Sequence, residues 1–555
     1  MRIDIKQVSS LEKIRSFSDA KTEINNSILL KGEVFFFQQI ISCEKPAEIE
    51  VTVNSELKDY INLYEVKDAV MDFPCYPDSD GEGYITTEAG LMPDILMPLE
   101  YQKGIIKFQK GFSSVWVEIK VPADIEKGEY NIDIQYNARS LTDDDKATET
   151  KGISLEILEP EIPEQKLIVT QWFHVDCIAD VHNVPVYSEE HWYLISEYMK
   201  EAVKQGQNMI LTPVITPPLD TKPETLRPNT QLVKISKCGD IYSFDFSMVK
   251  RFIDLAKRTG FEYFEISHLF SQWGLRYSPN IYVTEDGEEK RLFGWHIPAN
   301  DKSYKEFLEQ FLPALVEFLK SEGIMDNCYF HISDEPTEEC IEAYRYAYEI
   351  VRPLLKDAKI MDALSDIAFY DTGLVPNPVT ATNHIEPFLA KNIENQWAYY
   401  CCAQHKKVAN RFLAMPSYRS RILGIQLYKY GIKGFLQWGF NFYYSQLSLF
   451  EINPYVTTSA EKAFPSGDPF LVYPAKNGPV PSLRAKVFKE AIQDVSLLEL
   501  LEKYIGKAEV IKFVEENAGM EITFSEYPKC SEFLLDLNTK IKEKIKSIRD
   551  VLPVK

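Results

Sequence analysis

The polar segment Glu159-Pro160-Glu161-Ile162-Pro163-Glu164 separates two parts of the chain that differ in hydrophobic pattern. Before this segment, apolar and polar residues alternate, as they do at Val115, Val117, Ile119 and Val121. Such alternation is typical of a strand with one buried face. Because a segment with two prolines is stiff and interrupts regular structure, we expect a domain boundary here. The pattern upstream of it predicts an antiparallel β-sandwich.

After this segment, short apolar runs alternate with longer amphipathic stretches. The predicted strands cover residues 167–173, 208–214, 261–266, 327–333, 359–364, 379–383, 397–401 and 434–438. The predicted helices include residues 191–206, 247–258, 417–430 and 483–501, and two apolar stripes that begin at Phe307 and Ile341. About eight strand–helix units over roughly 340 residues predict a (β/α)8 TIM-type barrel. A doubly wound open sheet is the structural alternative, but the glycine-rich first turn of that fold is absent.

The predicted fold class is therefore α/β, and the chain is expected to have three parts. The sandwich is expected over residues 1–160, the barrel over residues 161–506 and a helical C-terminal extension over residues 507–555. In the extension, one apolar helical stripe consists of Leu534, Leu537, Ile541, Ile545 and Ile548. Such a stripe indicates a helix that packs against the rest of the protein.

The composition disfavours several classes of protein. The chain is 45% hydrophobic and 26% charged, which is typical of a globular protein and not of a disordered one. It contains 61 Lys and Arg residues against 83 Asp and Glu residues, and its net charge is −22. So acidic a protein repels phosphate groups, so neither nucleic acid nor an anionic membrane is expected as a partner.

The sequence also bears on the compartment. No apolar run approaches the roughly 18 residues that a membrane span requires. The nine cysteines are scattered without a C-x-x-C pair and are expected to be reduced thiols. The first residues are charged and lack an apolar signal core. Either the protein stays inside the cell or a signal segment has been removed; we expect a cytoplasmic protein, while the oligomeric state stays open.

Residues able to carry chemistry cluster where the predicted barrel strands end. The active site of a TIM-type barrel lies at the carboxyl ends of its strands. The candidates at these positions are Trp172, His174, Asp176, His268, Asp334, Glu335, Tyr399, Tyr400, Trp438 and Asn441. Each of these side chains could have an ordinary packing role, but their joint placement favours a site.

The adjacent acids Asp334 and Glu335 are the most informative of these candidates. Pro336 is expected to hold Glu335 in extended backbone and to end strand pairing, so both carboxyl groups can reach one cavity. Bulky aromatic neighbours would desolvate one carboxyl group and raise its pKa, while the other stays ionised. Aromatic rings stack on sugars and acids protonate glycosidic oxygens, so the pattern favours a sugar-cleaving enzyme.

An enzyme nucleophile is missing from the expected positions. Ordinary retaining glycosidases place a second carboxylate about 5 Å from the acid, on the other side of the scissile bond. The seventh predicted strand ends in Tyr399-Tyr400-Cys401-Cys402-Ala403-Gln404 and the eighth runs to Asn441, and neither ends in a carboxylate. This absence points to a nucleophile that the substrate itself supplies.

An ordered set of motifs resembles glycoside hydrolase family 123 over roughly residues 160–505. The motifs are Trp172-Phe173-His174, Asp176-Cys177, Asp334-Glu335-Pro336, residues 397–402, residues 434–441, residues 467–474 and Pro481-Ser482-Leu483-Arg484. The resemblance implies an exo-acting β-N-acetylgalactosaminidase that removes terminal β-linked GalNAc from glycans such as those of glycosphingolipids. It implies no cofactor and no metal ion. Ala475 stands where the family usually has glycine after Tyr-Pro.

The resemblance also implies roles for individual residues. Glu335 would be the general acid and base, and Asp334 would orient the acetamido group of the substrate. Either Tyr399 or Tyr400 would hold the acetamido oxygen. The remaining implied roles are a pocket wall formed by Trp172 and Trp438, and hydroxyl binding by His174, His268, Asn441 and Asp468.

Two other functions remain open at this point. A metal-dependent hydrolase could use His174, Asp176, His268, His331 and His384, although the first strand of such barrels usually offers two alternating histidines. A carbohydrate-binding barrel without catalytic activity is the non-enzymatic alternative. The choice between GalNAc and GlcNAc depends on side-chain placement, which the sequence does not reveal.

Overall fold

The computed structural model describes residues 1–20, 23–79, 81–109 and 111–551, except for the side chains of residues 550 and 551. The N-terminal part forms two five-stranded sheets. Their strands are β1 (Ile3–Ser9), β2 (Asn26–Lys31), β3 (Val34–Cys43), β4 (Ala47–Asn54), β5 (Ile61–Met71), β6 (Gly90–Pro98), β7 (Ile105–Phe108), β8 (Phe112–Lys120), β9 (Gly128–Ser140) and β10 (Lys146–Glu161). The strand orders are β1-β3-β8-β5-β6 and β2-β10-β9-β4-β7.

The two N-terminal sheets share one apolar core, to which alternating residues such as Ile132 and Ile134 of β9 contribute. Pairing is antiparallel except that β2 lies parallel to β10. Strand β8 departs from the expected single buried face, because Trp116 and Glu118 on its other face are also buried. A helix from the C-terminal half of the chain covers this second face, as described below.

The remaining strands include eight that form one parallel sheet. The strands after β10 are β11 (Ile168–Gln171), β12 (Met209–Thr212), β13 (Lys234–Cys238), β14 (Ile241–Asp245), β15 (Tyr263–Ile266), β16 (Ile281–Glu285), β17 (Glu288–Phe293), β18 (Cys328–Phe330), β19 (Lys359–Leu364), β20 (Asn377–Ala381), β21 (Trp397–Tyr399), β22 (Gly434–Gln437), β23 (Val472–Ala475) and β24 (Gly478–Pro481). The parallel sheet has the order β11-β22-β21-β20-β19-β18-β15-β12, which forms a nearly closed barrel.

Side-chain amides bridge the one remaining gap in the barrel, between β11 and β12. Asn208, which precedes β12, accepts a hydrogen bond from the N–H of Val169 at 2.8 Å and donates one to the carbonyl of Leu167 at 3.2 Å. The side-chain oxygen of Gln207 likewise accepts a hydrogen bond from the N–H of Gln171 at 3.2 Å. Together with one backbone hydrogen bond, from the N–H of Asn208 to the carbonyl of Val169 at 3.2 Å, these contacts hold the two strands side by side.

Helices follow each strand of the barrel. They are α1 (Val175–Val181), α2 (Glu189–Lys204), α3 (Ser247–Thr259), α4 (Lys302–Ser321), α5 (Ile341–Leu355), α6 (Ala368–Asp371), α7 (Glu386–Leu389), α8 (Tyr418–Tyr430) and α9 (Leu483–Ile505). Helices α6 and α7 are single turns. Strands β13, β14, β16 and β17 form a separate four-stranded sheet in two insertions, which the sequence pattern did not predict.

The C-terminal part is helical, with α10 (Lys507–Ala518) and α11 (Ser531–Val551). The stripe residues Leu534, Leu537, Ile541 and Ile545 of α11 are buried. Residues 552–555 of the predicted extension lie outside the described residues. Within the described part of the chain, no helix is long and apolar enough to span a bilayer.

Candidate active site

A cavity opens at the carboxyl ends of the barrel strands. Its empty space measures about 640 Å³, including the open solvent at its mouth. The lining residues are Trp172, His174, Leu219, Asp220, Gln272, Trp273, Asp334, Glu335, Ala363, Tyr399, Cys401, Cys402, Leu436, Trp438, Gln446 and Phe464. The wall is therefore largely aromatic and apolar, with a small number of polar groups.

The acidic pair lies in the loop between β18 and α5, and both carboxyl groups reach this cavity. The side-chain amide of Gln272 donates a hydrogen bond to Oδ2 of Asp334 at 2.6 Å. The hydroxyl of Tyr399 donates one to Oε1 of Glu335 at 2.7 Å. Asp334 is buried and Glu335 is half-buried, so the two carboxyl groups differ in their contact with solvent.

The prediction of extended backbone at Glu335 is wrong. Its φ angle is 44°, in the left-handed region that residues with a Cβ atom rarely adopt. The steric rule for a residue before proline is therefore overridden by the surrounding contacts, and such a conformation costs about 1–3 kcal/mol. This strained turn, and not the end of a strand, directs both acidic side chains into one cavity.

The electrostatic state of the pair follows from its burial. Burial raises the pKa of Asp334 well above its ordinary value, and the neighbouring Glu335 carboxylate raises it further. The amide of Gln272 and the charge of His331 partly oppose this effect. The carboxyl group of Asp334 is therefore protonated more readily than an exposed aspartate.

Two tryptophans that follow the neighbouring strands β11 and β22 form part of the cavity wall, and each is held by a buried carboxylate. The indole N–H of Trp172 donates to Oε1 of Glu265 at 2.6 Å. The indole N–H of Trp438 donates to Oδ2 of Asp468 at 2.9 Å. Because an indole N–H fixed in this way prevents the ring from rotating, both rings present defined surfaces to a ligand.

The structure brings only part of the predicted set to the cavity. Six predicted residues line it, namely Trp172, His174, Asp334, Glu335, Tyr399 and Trp438. Five predicted residues do not line it, namely Asp176, His268, Tyr400, Asn441 and Asp468. These five are buried behind the wall, where they hold other residues or pack in the core.

The contacts of the buried residues explain their positions. Asp176 forms an ion pair with Arg227 at 2.6 Å, and Arg227 in turn lies 3.3 Å from Nδ1 of His174. The side chain of Asn441 binds the backbone of His174 on both sides, accepting from its N–H and donating to its carbonyl. Asp468 holds the indole of Trp438, as described above. These residues support the cavity wall from behind.

The choice between Tyr399 and Tyr400 is resolved by the strand geometry. Successive side chains of a strand point to opposite faces. Tyr399 at the end of β21 points into the barrel and reaches Glu335. Tyr400 points outward and packs against the ring of Phe435 at a centroid distance of 4.9 Å.

Asp220 and Gln272 are polar residues of the site that sequence reasoning missed. Asp220 lies in the long insertion after β12, and burial raises the pKa of its carboxyl group to about 6. Gln272 lies in the loop after β15, and its oxygen accepts the N–H of Asp220 at 2.5 Å while its amide donates to Asp334. Both lie in loops after barrel strands, but several residues beyond the strand ends, where no local pattern marks them.

The residues of the metal alternative are not gathered into one site. His384 is exposed, and His174 and Asp176 are engaged with Arg227. In the described part of the chain, His268, His331 and Asp362 have potential ligand atoms within 4.8 Å of one another. However, both ring nitrogens of His331 already hydrogen-bond to carboxylates, at 2.7 Å and 2.9 Å. A ring held in this way carries protons where a metal ion would bind.

A barrel with an acidic pair in an aromatic-walled cavity at the strand ends is the arrangement expected of the glycoside hydrolase class. The family model described as "Glycoside hydrolase 123, catalytic domain" matches residues 172–501. The chain therefore belongs to glycoside hydrolase family 123 and acts on glycans. The earlier resemblance is confirmed.

Solved structures agree with this fold. A family 123 glycoside hydrolase from Clostridium perfringens matches with a TM-score of 0.71 and 17% sequence identity, covering 99% of this chain and 98% of that one. A β-glucuronidase from Parabacteroides merdae matches at a TM-score of only 0.31 and 10% identity, covering 88% of this chain and 51% of that one, which supports no further inference. No curated protein matches the chain.

Proposed function

We propose that the protein is an exo-acting, retaining β-N-acetylgalactosaminidase that releases terminal β-GalNAc by substrate-assisted catalysis. The observation that carries the proposal is the adjacent Asp334 and Glu335 in one aromatic-walled cavity. The Clostridium perfringens relative is described in connection with glycolipid glycan hydrolysis, which supports a glycan of the same class as substrate.

In the first step, Glu335 protonates the glycosidic oxygen while the 2-acetamido carbonyl oxygen of the substrate attacks C1. The C1–O bond breaks, the aglycone leaves as an alcohol, and a cyclic oxazolinium ion forms. Asp334 accepts the acetamido N–H and stabilises the positive charge. We assign Tyr399 to the acetamido oxygen, because its hydroxyl already lies beside Glu335.

In the second step, Glu335 removes a proton from water, which attacks C1 and opens the oxazolinium ring. Two inversions at C1 give net retention of the β configuration. Burial favours the protonated form of Asp334, so this carboxyl group must become anionic before it can accept the acetamido N–H. An amide N–H directed at Asp334 favours its anionic form, so the proton of the pair is then available on Glu335.

The roles of the two acids are separable by substitution. We expect Glu335→Gln to lower kcat on natural glycosides by about 10²–10⁴-fold, because the leaving oxygen is no longer protonated. The rate of the first step on aryl glycosides with good leaving groups should be largely unaffected. Asp334→Asn should lose turnover on both kinds of substrate. Steady-state kinetics with both substrates measures this difference.

Glu338→Gln is the matched control, because Glu338 is an exposed acid in the same loop and outside the cavity. It should leave both activities unchanged. An equal loss on natural and aryl substrates in Glu335→Gln would contradict the acid role. If Glu335→Gln and the parent bind sugar equally and neither turns it over, the protein is a carbohydrate-binding barrel.

The substrate class is tested by a panel of aryl glycosides. Aryl β-N-acetylgalactosaminide should be cleaved fastest, aryl β-N-acetylglucosaminide more slowly, and hexosides without the acetamido group not at all. An N-acetyl-thiazoline, which mimics the oxazolinium ion, should inhibit competitively. Brisk cleavage of a plain galactoside would contradict substrate assistance.

We further propose the class of the barrel and the boundaries of the three parts of the chain. The nearly closed parallel barrel, with a helix after each strand, is a variant of the (β/α)8 TIM-type class. The sandwich over residues 1–160, the barrel over residues 161–506 and the helical extension over residues 507–555 remain the proposed parts. Retention of activity in the barrel after limited proteolysis within the extension would support this division.

A further inference from the structure

Below the cavity floor, His331 lies fully buried between two carboxylates. Its Nε2 is 2.7 Å from Oε1 of Glu265 and its Nδ1 is 2.9 Å from Oδ1 of Asp362. All three side chains have no exposed surface. When both carboxylates are ionised they only accept hydrogen bonds, so both ring nitrogens donate and the ring is an imidazolium.

Glu265, His331 and Asp362 form a buried triad. Its Asp362 carboxylate is hydrogen-bonded to the acidic-pair loop, which carries Asp334 and Glu335. Oδ2 of Asp362 accepts the N–H of Ile332 at 3.2 Å and the N–H of Ser333 at 3.4 Å, and it also accepts the hydroxyl of Tyr344. Ile332 and Ser333 directly precede Asp334 in the sequence. The position of Asp362 therefore determines where the strained turn begins.

The Glu265 side of the triad is bound to the cavity wall. The same Oε1 that accepts from His331 also accepts the indole N–H of Trp172 at 2.6 Å. Its Oε2 accepts the hydroxyl of Thr170 at 2.6 Å. A shift of Glu265 would therefore turn the face that Trp172 presents to the sugar.

We propose that His331 is a positioning residue, whose two hydrogen bonds hold Asp362 and Glu265 together and thereby fix the acidic-pair loop and Trp172 relative to each other. This inference rests on the proposed roles of Asp334 and Glu335. Without the imidazolium, two carboxylates with no exposed surface would face each other unpaired, which would drive them apart.

The other groups around His331 are consistent with a cation at this position. Burial alone lowers the pKa of His331, but the hydrogen bonds to Asp362 and Glu265 outweigh it and raise the pKa to about 10. His268 stacks on it at a centroid distance of 4.2 Å. Burial and the neighbouring His331 lower the pKa of His268, so this second ring is neutral. The positive charge of His331 lowers the pKa of the nearby Asp334, while the charge of Asp362 raises it.

The direct test is ¹⁵N nuclear magnetic resonance of the free enzyme labelled at histidine. We expect one histidine with both ring nitrogens protonated at pH 8, and its signals should disappear in His331→Gln. A neutral His331 ring at pH 8, or one equivalent of tightly bound metal by elemental analysis of the purified protein, would overturn the proposal. This readout does not depend on any substrate, so it separates failure of this inference from failure of the proposed function.

The kinetic test uses a milder variant, because His331→Gln could fail to fold. Tyr344→Phe removes one donor to Asp362, and we expect kcat to fall by about 10- to 100-fold with KM nearly unchanged. Tyr348→Phe is the matched control, since Tyr348 lies one turn further along α5 and has no side-chain hydrogen bond within the described part of the chain. Equal kcat values for the two variants, with folding unchanged by circular dichroism, would contradict the positioning role.

Discussion

Glu335 combines a strained backbone with a hydrogen-bonded side chain. The φ of Glu335 is 44°, and the nearby Trp273 also has a positive φ, of 53°; the N–H of Trp273 donates to the carbonyl of Asp334 at 3.3 Å. Two non-glycine residues in this conformation cost about 1–3 kcal/mol each and persist only where surrounding contacts determine them. Both loops beside the acidic pair therefore contain a strained residue.

Substitution of Asp220 distinguishes two mechanisms, because Asp220 is a third carboxylate in the cavity. If the acetamido group is the nucleophile, Asp220 binds a sugar hydroxyl, and Asp220→Asn should raise KM by about tenfold with a smaller effect on kcat. If Asp220 is instead the nucleophile, its replacement by a non-nucleophilic amide should lower kcat by about 10³-fold or more. Steady-state kinetics on an aryl N-acetylgalactosaminide separates these outcomes.

A matched control and a trapping experiment sharpen this test. Asp240→Asn changes an exposed acid outside the cavity and should leave kinetics unchanged. Rescue of Asp220→Asn by azide, or a covalent glycosyl ester found on Asp220 by mass spectrometry, would contradict substrate assistance.

The sequence located the acidic pair but not the polar residues Asp220 and Gln272 of the same cavity. Asp334 and Glu335 are adjacent in sequence and follow an apolar run, so a local pattern marks them. Asp220 and Gln272 reach the pair only through the folding of two long loops, and no local pattern records that contact. The sequence did not distinguish Tyr399 from Tyr400. In the structure their side chains point to opposite faces at the end of β21, and only Tyr399 reaches the cavity.

Among the elements, β21 and β22 pack so closely that the sequence at one position is restricted to glycine. Gly434 of β22 lies opposite Trp397 of β21, and a Cβ atom at Gly434 would lie 2.2 Å from the indole ring. We expect Gly434→Ala to destabilise the protein by about 1–3 kcal/mol, because the buried indole must shift. Thermal unfolding of the variant measures the loss.

Gly90→Ala is the matched control for this strand position. Gly90 begins β6, and a Cβ atom there has no neighbour within 4 Å among the described residues. Its substitution should change stability by less than about 1 kcal/mol. Equal stability of the two alanine variants would show that the indole of Trp397 is free to move.

The barrel strands were predictable because their apolar runs are continuous, yet several observed strands are shorter than predicted. The run at 208–214 contains only the strand Met209–Thr212, although Val214 is also buried. An insertion covers Val214, so burial there comes from a loop and not from the sheet. The small sheet of β13, β14, β16 and β17 was not predicted, because its alternation extends over only five or six residues per strand.

Helix α9 connects the N-terminal sheets with the barrel through buried ion pairs. Arg484 binds Asp94 of β6 at 2.9 Å, and Lys486 binds Glu118 of β8 at 2.8 Å. All four side chains are less than 5% exposed. Arg484 also donates to the carbonyls of Gly467 and Phe470, which flank Asp468 behind Trp438. The first sheet is thus linked to the cavity wall.

We therefore expect the N-terminal sheets and the barrel to unfold as one cooperative unit. Asp94→Asn leaves the Arg484 charge buried without its partner and should destabilise the protein by about 3–5 kcal/mol, as seen when one member of a buried pair is removed. Differential scanning calorimetry should show a single transition that moves to lower temperature as a whole. Asp143→Asn, which removes an exposed acid paired with Lys45, should shift it by no more than about 1 kcal/mol. Two transitions, of which Asp94→Asn moves only one, would contradict this coupling.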